Sequence, residues 1–539
     1  MHAHRPSVRP LWIALFVVHL ISALGLLYWI FAQTQPVAMY DLHLSEGEKL
    51  KCVSYAPYHL PGQTPFDKEA RVSREQISAD LTALAKITDC VRLYSIDQGL
   101  DQVLGVARET GLTVLLGAWI GFDRKKNAVE LDKAITLANE NPDVVRALIV
   151  GNEVLLRRER SEEEMRALIR EAKSKAKVPV TYADVWEFWI KHDSLAAEVD
   201  FVTVHILPFW EDEPVDIEHA LAHVADIHTK VSAHFAGKSI LIGETGWPSE
   251  GRQREESKPS RVNQARYIRE FVHQAHARSW NYNLIEALDQ PWKRRLEGTV
   301  GGYWGMLEAQ TLKPKFPLAG PVSERASALA PVAGGIIGAV VSLLLAAKVR
   351  GPDNKTLRIL ASAAVGASGG LVTLLHWEHA VVAYRDALEW ITLGSVATLS
   401  MLLPAVLARW NGDPVPSAEL AWAKVRARQA VSSADLLGLT RGLLLFAAAI
   451  AALLLFVDSR YRDFPTLLYF TPAAVFGVIG WWQGPSGRAE RIFAWVTMLS
   501  VIFRWLPEPS NPQAIGWLGV GLILALPLLA ARSSQDEQR

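Results

Sequence analysis

The sequence predicts an α/β chain with a (β/α)8 TIM barrel over residues 40–315, preceded by one transmembrane α-helix and followed by about seven. Most of the Asp, Glu and Lys residues fall within 40–315, as in a water-soluble domain, whereas the flanking parts are long uncharged runs of Leu, Ala, Val and Gly. Within the charged part, short β-rich runs alternate eight times with helical patterns. A chain of 539 residues also exceeds one ordinary domain, so two or three units are expected.

The barrel prediction depends on the character of the eight runs. Several are nearly continuous apolar stretches, which is typical of parallel strands buried on both faces. Between them, Ser73-x-x-Gln76 and Ser161-x-x-Glu164 have the form of capping boxes and precede apolar residues at helical spacing. A doubly wound open sheet is the alternative, but no Gly-rich phosphate loop follows the first strand to support it. The predicted strands are residues 51–55, 90–94, 113–119, 145–152, 178–183, 201–206, 239–244 and 282–287.

The N-terminal segment, residues 1–35, is predicted to be a membrane anchor. Residues 11–31 form an apolar run of about the 20 residues that cross a bilayer, after the basic residues Arg5 and Arg9. A cleaved signal peptide is the rival interpretation. The run is longer than a usual signal core, and Trp29 and Phe31 stand where small residues should precede cleavage. An uncleaved anchor is therefore favoured.

Residues 326–531 are predicted to form a multi-span helical membrane domain. Loop charges test this prediction, because basic residues concentrate in cytoplasmic loops. With the N-terminus inside, the loops at 348–358, 409–441 and 482–491 are cytoplasmic, and these are the basic ones. Both termini are then cytoplasmic, and the barrel lies outside. The apolar runs are 326–348, 357–377, 388–408, 442–457, 464–482, 489–505 and 512–531.

The net charge bears on the class of partner, and the two cysteines bear on whether a disulfide forms. The formal net charge is +0, so there is no electrostatic reason to expect a nucleic-acid partner. Cys52 and Cys90 are the two cysteines and fall in neighbouring predicted strands, where one disulfide is geometrically conceivable. Two buried reduced thiols are the favoured interpretation.

Two glutamates stand at the carboxyl ends of predicted strands, where a TIM barrel gathers its active site. Glu153 ends the fourth run, in ALIVGNE, and Glu244 ends the seventh, in SILIGETGWPS. The barrel would place them face to face across its mouth. Glycoside cleavage needs such a pair, with one carboxylic acid to protonate the leaving oxygen and one carboxylate to attack the anomeric carbon.

These motifs resemble glycoside hydrolase family 17, the β-1,3-glucanases and glucanosyltransferases. GNE on the fourth strand and GETGWPS on the seventh carry the resemblance, together with SYAPY at 54–58, VRLYS at 91–95 and HILPFW at 205–210. EALDQPWK at 286–293 and GTVGGYWG at 298–305 are similar to the bacterial branch, whose multi-span members resemble proteins of periplasmic β-1,3/β-1,6-glucan synthesis. The resemblance implies that Glu153 is the acid/base, that Glu244 is the nucleophile and that Asn152 binds the sugar 2-hydroxyl. It also implies that the protein lies in a bacterial inner membrane with its catalytic domain on the periplasmic side.

Glu153 must hold a proton near neutral pH to act as the acid, so we expect its site to be less solvated than that of Glu244. Other residues with polar or flat aromatic side chains fall at the predicted rim and are candidates for substrate binding. For His205, bonding to a neighbouring strand is an equal alternative, and the altered motif DQPWK leaves the role of Lys293 open. The rim candidates are Tyr55, Arg92, Tyr94, Trp119, His205, Trp210, Trp247, Glu286, Asp289, Trp292 and Lys293.

The sequence contains neither HExxH nor paired CxxC motifs, and a retaining mechanism requires no cofactor or metal. The expected partners are a β-glucan, the lipid bilayer and a separate glucan synthase. Three functions compete: a glucan transferase that elongates, branches or cyclises, a plain endo-β-1,3-glucanase, and a nucleotide-sugar-dependent synthase. A synthase should carry a further cytoplasmic domain, for which the loop at 409–441 is too short. A non-catalytic sugar-binding module is disfavoured by the glutamate pair.

Overall fold

The computed structural model describes residues 8–45, 47–349, 355–482 and 486–530, which divide into two compact units. The first, the barrel unit, comprises residues 36–251 and 256–322. The second, the helical unit, comprises the residues before 36, residues 252–255 and those from 323 onward. Arg5 and Arg350, which entered the loop-charge argument, and residue 531, the predicted end of the membrane domain, lie outside the described residues.

Eight parallel strands close the barrel in the order of the sequence, so the TIM-barrel prediction is confirmed and the open-sheet alternative is wrong. Each strand pairs with its successor, and Val53 of the first pairs with Leu284 of the last. Side chains such as Val91 and Leu148 are fully buried, as strands covered by helices require. The strands are β1 Val53–Ser54, β2 Cys90–Arg92, β3 Thr113–Ala118, β4 Val145–Asn152, β5 Val180–Val185, β6 Val202–His205, β7 Ile240–Thr245 and β8 Asn281–Leu284.

Helices follow the strands in the barrel unit, and their first turns show why they start where they do. Ser161 and Glu164 form the complete predicted capping box. At the earlier box, Ser73 accepts from the Gln76 N–H, but the Gln76 side chain donates to the Pro57 carbonyl instead of returning to the cap. The helices are α2 Arg74–Leu84, α3 Val103–Thr110, α4 Arg124–Glu140, α5 Glu162–Lys175, α6 Trp186–Lys191, α7 Ala220–His234, α8 Arg261–Ala277 and α9 Arg294–Gly301, after the N-terminal α1 Arg9–Thr34. Short 3-10 helices occupy Leu100–Gln102, Asp193–Ala197 and Pro291–Lys293.

Cys52 and Cys90 form a disulfide, so the favoured interpretation of two reduced thiols is wrong. Cys52 precedes β1, Cys90 opens β2, and their Cα atoms lie 4.3 Å apart because the two strands are paired neighbours. The bridge therefore cross-links the amino ends of the first two strands, at the end of the barrel opposite to the carboxyl-terminal mouth. Both side chains are buried.

In the helical unit, helices occupy all eight predicted spans. Six of those in the described ranges are long and apolar enough to cross a membrane: α1, α10 Leu329–Ala347, α11 Lys355–Ala383, α12 Ala387–Ala408, α14 Ser433–Val457 and α17 Pro512–Ala530. Helix α15 (Thr466–Trp482) is apolar but shorter, and α16 (Arg488–Trp505) carries Glu490, Arg491 and Arg504 besides its first residue. The nine-residue α13 (Ala418–Arg426) lies in the longest predicted loop.

Helices α10 and α11 approach each other most closely at glycines. A Cβ atom at Gly338 would lie 2.1 Å from the Gly366 carbonyl oxygen, and one at Gly370 would lie 2.0 Å from that of Gly334. Only a residue without a side chain fits at these points. Such small-residue contacts allow van der Waals packing between backbones, which drives helix association in lipid.

Candidate active site

Glu153 occupies a sharp turn at the carboxyl end of β4. Its φ is +51°, after Gly151 at +82°, so a non-glycine residue is held in the left-handed region that L-residues rarely adopt. The Glu153 N–H donates to the Ala183 carbonyl of β5 at 2.8 Å, which fixes the turn to the neighbouring strand. Backbone conformations of this kind cluster at functional sites, where surrounding structure must enforce them.

Glu244 lies on β7 and is held by two donors from β2 and the residues that follow it. The Tyr94 hydroxyl donates to its Oε1 at 2.8 Å, and Nη1 of Arg92 donates to the same oxygen at 3.1 Å. The Arg92 guanidinium is fixed in turn by the Gly243 carbonyl at 2.6 Å. Within the described part of the chain, Oε2 of Glu244 accepts no hydrogen bond, so one carboxylate oxygen is held and the other stays available.

His205, at the end of β6, lies between the two glutamates. Its Nδ1 is 3.1 Å from Oε1 of Glu153, and its Nε2 is 3.6 Å from Oε1 of Glu244. Nη1 of Arg92 lies 3.4 Å from Nε2. Both contacts are hydrogen bonds when the Nδ1–H donates to Glu153 and Nε2 accepts from Arg92. Of the two alternatives for His205, the structure shows the bond to a neighbouring strand, since Glu153 follows β4, and contact with a sugar stays a prediction.

One ligand atom from each of Glu153, His205 and Glu244 lies within 4.8 Å of the others, a spacing that a metal ion could bridge. The local charge opposes that use, because Arg92 donates to Glu244 and faces His205. A cation among these three side chains would be repelled by the buried guanidinium. The arrangement is better suited to proton and sugar chemistry.

The solvation of the two glutamates is the reverse of the expectation. The Glu153 side chain is 23% exposed and that of Glu244 is 6% exposed, so Glu153 is the more solvated. Partial burial raises the pKa of Glu153. The hydrogen bond from His205 and the nearby charges of Arg157 and Arg92 lower this pKa by more, so that it lies below its ordinary value. The reason is its position at the mouth beside hydrogen-bond donors, whereas Glu244 lies deeper on its strand.

Asn152, the last residue of β4, is nearly buried and accepts from Nη2 of Arg92 at 2.5 Å through Oδ1. That bond fixes the orientation of the amide, so its NH2 group is what Asn152 offers to a ligand. Arg92 therefore connects Asn152 and Glu244 and positions both.

A second charged group lies beside the pair and includes a residue that the sequence did not single out. Nζ of Lys293 lies 3.0 Å from both carboxylate oxygens of Glu286. Burial raises the pKa of Glu286 to about 7, against the lowering effect of Lys293. Burial likewise raises the pKa of Glu297 to about 7, and the negative charges of Glu153 and Glu244 raise it further. Glu297 follows Lys293 by four residues, and residues at this spacing on a helix are neighbours. That spacing is the sequence signal that could have identified Glu297.

Asp184 is another carboxyl that the sequence analysis missed. It lies on β5, where the Tyr182 hydroxyl donates to its Oδ2, and the same oxygen is 3.4 Å from the Leu156 N–H. The Tyr182 hydroxyl also accepts from the Leu155 N–H at 3.0 Å. Together they hold the loop that follows Glu153. Burial raises the pKa of Asp184 to about 6, and the nearby charge of Glu153 adds to the increase.

Three of the four predicted tryptophans keep exposed surface at the rim. Trp119 is 40% exposed, and the Arg157 guanidinium lies 4.5 Å from the centre of its ring. Trp210 and Trp292 are partly buried among other aromatic rings. Phe66, 65% exposed and edge-on to Trp292 at 5.5 Å, was not predicted because it stands in a polar loop.

Several rim candidates are enclosed by their neighbours. Trp247 is fully buried, and its indole N–H donates to the Lys258 carbonyl, so it has no face for a sugar. Tyr55 is also fully buried, because its hydroxyl donates to Asp80 inside the fold. The prediction of substrate contact is wrong for both. Glu286 is 1% exposed and pairs with Lys293, while Asp289 accepts from Lys315 at 2.8 Å.

Known proteins are similar to this chain over its barrel. The family model of the BtgE/BtgC glycoside hydrolase domain matches residues 52–305. The chain is 28% identical over 233 residues to the glucan 1,3-beta-glucosidase of Arthroderma benhamiae, covering 40% of this chain and 74% of the fungal one. It is 27% identical over 263 residues to the glucan 1,3-beta-glucosidase of Saccharomyces cerevisiae, covering 43% and 82%. A solved active-site mutant of the Rhizomucor miehei beta-1,3-glucanosyltransferase, in complex with laminaritriose, matches at 23% identity and a TM-score of 0.44, covering 52% of this chain and 98% of that one.

Proposed function

We propose that the barrel of this chain is a β-1,3-glucan-active glycoside hydrolase of the family 17 type. On that premise, we propose further that it is a retaining glucanosyltransferase that works outside the inner membrane. It transfers glucan chains by elongation, β-1,6 branching or cyclisation, through a covalent glycosyl-enzyme on Glu244. Glu153 serves as the acid and then as the base.

The separation of the carboxylates carries the retaining assignment. Oxygen atoms of Glu153 and Glu244 lie within 4.8 Å of each other. Retaining enzymes hold their carboxyl groups about 5–5.5 Å apart, whereas inverting enzymes leave about 6.5–9.5 Å for a water molecule. The observed spacing leaves no room for that water, which supports direct attack by one carboxylate.

The hydrogen bonds assign the two roles. Oε1 of Glu244 is fixed by Tyr94 and Arg92, so Oε2 is the oxygen that attacks the anomeric carbon and forms the ester bond. Glu153 gives its proton to the departing glycosidic oxygen. A bound glucan excludes water from the partly exposed Glu153 carboxyl, which raises its pKa toward the value that an acid requires. An acceptor hydroxyl then returns its proton to Glu153 as it displaces Glu244.

Two features support a location outside the cytoplasm. The Cys52–Cys90 disulfide belongs to an oxidising compartment, because cytosolic thiols are kept reduced. The basic loops of the helical part also favour a cytoplasmic position for both termini. An enzyme tethered beside the point where glucan emerges meets its acceptor at high effective concentration, which favours transfer over hydrolysis.

The test is to incubate the full-length protein in detergent micelles with laminari-oligosaccharides and to analyse the products by mass spectrometry and NMR. We expect products longer than the substrate, with branched or cyclic linkages, and no product from the Glu244→Gln variant. A 2-deoxy-2-fluoro laminari-oligosaccharyl fluoride should leave one glycosyl group on the peptide that contains Glu244. Shorter products alone would support a plain endo-β-1,3-glucanase instead.

The nucleotide-sugar synthase is disfavoured by the described part of the loop at 409–441. Before α14 begins at Ser433, this stretch holds the nine-residue helix Ala418–Arg426, and so short a segment is far too small for a nucleotide-binding domain. Incorporation of glucose from UDP-glucose by the purified protein would revive that function.

A further inference from the structure

A groove in the helical unit is lined by α1, α15 and α17, and none of its lining residues belongs to the candidate active site. Its volume is about 590 Å3. Fourteen residues line it, among which Ser22 and Trp481 carry the side chains with a polar atom. The walls are otherwise aliphatic or aromatic, with Val18, Phe470 and Ile523 as representative members.

The helices that form the groove determine which medium fills it. Helices α1 and α17 are long and apolar enough to cross a bilayer, and α15 is a shorter apolar helix beside them. Water in a cavity needs two to four polar partners, which these walls do not provide. Hydrocarbon does not need them, so an alkyl chain is the occupant that matches the lining.

The volume matches one long chain or a pair of shorter ones. An apolar cavity of about 150 Å3 holds one benzene, so 590 Å3 accommodates roughly 24 carbon atoms. Burying methylenes against protein retains the dispersion contacts that an empty groove would lose. Gly477 contributes to the shape, because a Cβ there would lie 2.4 Å from Ile523 and push α15 away from α17.

Two arginines, Arg9 and Arg488, lie near one end of the groove. Gly477 and Gly480 of α15 face Ile523 and Pro527 of α17, so these two helices run parallel. Leu467, at the start of α15, packs against the cluster that contains Ile30 near the end of α1, so the amino end of α1 lies at the same end as the carboxyl ends of the other two. Arg9 is exposed five residues before Ala14, about 7.5 Å along the helix. The Ser486 hydroxyl donates to the Leu528 carbonyl of α17 at 2.9 Å, which places the exposed Arg488 at this end too.

We propose that this groove binds an acyl chain of an anionic phospholipid, whose phosphate lies near Arg9 and Arg488. Apolar walls inside a bilayer-spanning bundle select the chain, and the guanidinium groups select the headgroup. The proposal requires insertion of α1 and α17 in a membrane but is independent of the reaction in the barrel.

The experiment uses the full-length protein in vesicles that contain phosphatidylglycerol with a photoreactive diazirine in one acyl chain. After irradiation, mass spectrometry maps the labelled peptides. We expect labelling concentrated on 470–481 and 520–527, at least fivefold above the exposed face of α10. Ala474→Trp, which fills the groove, should abolish this excess, and Arg488→Gln should reduce it at least twofold. The matched control is Ile337→Trp, at a side chain that is 62% exposed on α10, and it should leave the labelling unchanged.

Val18→Trp fills the groove from α1 and provides a second variant if Ala474→Trp fails to fold. Uniform labelling of all the helices, or excess labelling that survives both tryptophans, would overturn the proposal. Labelling of the groove by a photoreactive polyprenyl phosphate but not by phosphatidylglycerol would overturn the phospholipid assignment.

Discussion

Nδ1 of His205 lies 3.1 Å from Oε1 of Glu153, and this hydrogen bond lowers the pKa of the glutamate. Glu153 acts as an acid only while protonated, so activity falls as the pH rises through its pKa. His205→Gln removes the donor at the Nδ1 position, because the glutamine amide reaches instead to the position of Nε2. We expect the alkaline limb of the kcat/KM profile to move up by about one pH unit, because a hydrogen bond to a charged group is worth ~1.5–3 kcal/mol. An alkaline limb at an unchanged pH would contradict this role for His205.

The Tyr94 hydroxyl donates to Oε1 of Glu244 and positions the attacking carboxylate. Tyr94→Phe should lower kcat about 10- to 100-fold with little change in KM, since the lost bond is charge-assisted. The matched control is Tyr55→Phe, whose hydroxyl donates to Asp80. The control should reduce the free energy of unfolding by ~1–2 kcal/mol and leave kcat unchanged. Equal kcat losses in both variants would indicate a general structural effect.

Trp119 presents a 40% exposed ring beside Arg157 and is the best placed platform for a glucose unit. Trp119→Ala should raise KM for laminari-oligosaccharides about tenfold, because ring stacking adds roughly 1 kcal/mol to the burial of apolar area. Trp247→Phe, at a fully buried indole, should instead lower thermal stability without raising KM. Steady-state kinetics on both variants distinguishes a surface that binds sugar from one that packs the core.

Burial raises the pKa of Asp184 to about 6, well above its ordinary value. The folded state therefore favours the protonated carboxyl, and the associated stability is complete below about pH 4 and decreases as the pH rises through 6. The loss is up to ~3 kcal/mol for a shift of about two pKa units. Chemical denaturation measures the free energy of unfolding at pH 4 and at pH 7. Between these two values, the unmodified protein should lose more stability, or gain less, than Asp184→Asn. An identical difference in the two proteins would refute the prediction.

The disulfide links the first two strands of the barrel, and its cysteines are 38 positions apart in the sequence. A bridge of this span stabilises by ~3–4 kcal/mol, chiefly by restricting the unfolded chain. Replacing both cysteines by serine should lower the unfolding midpoint of the barrel by roughly 10 °C. Because the bridge lies at the amino ends of the strands, kcat at 25 °C should stay the same. Thermal unfolding of the two proteins, followed by near-UV circular dichroism, checks the midpoint. Product formation at 25 °C checks kcat.

The barrel was predictable from the sequence because each buried parallel strand is a local run of apolar residues. All eight predicted runs contain a strand of the barrel. Glu153 and Glu244 followed from one geometric rule, that strand ends converge. Solvation was not predictable in this way. Trp247 and Tyr55 have the same sequence signature as Trp119 and Tyr94, and only the loops folded over them decide which side chains are covered. The disulfide was likewise undecided, since strand pairing brings two cysteines together whether or not they are bonded.

The left-handed backbone at Glu153 has an evolutionary consequence. Glycine adopts this conformation at no steric cost, whereas glutamate occupies it against its own preference. A chain that had exchanged Glu153 for glycine would form this turn without steric strain and would have lost its acid. Selection for a stable barrel thus gives this position no protection, and only continued use of the enzyme keeps a glutamate there. Descendants that no longer need the activity are expected to lose this residue early and to persist as intact, inactive barrels.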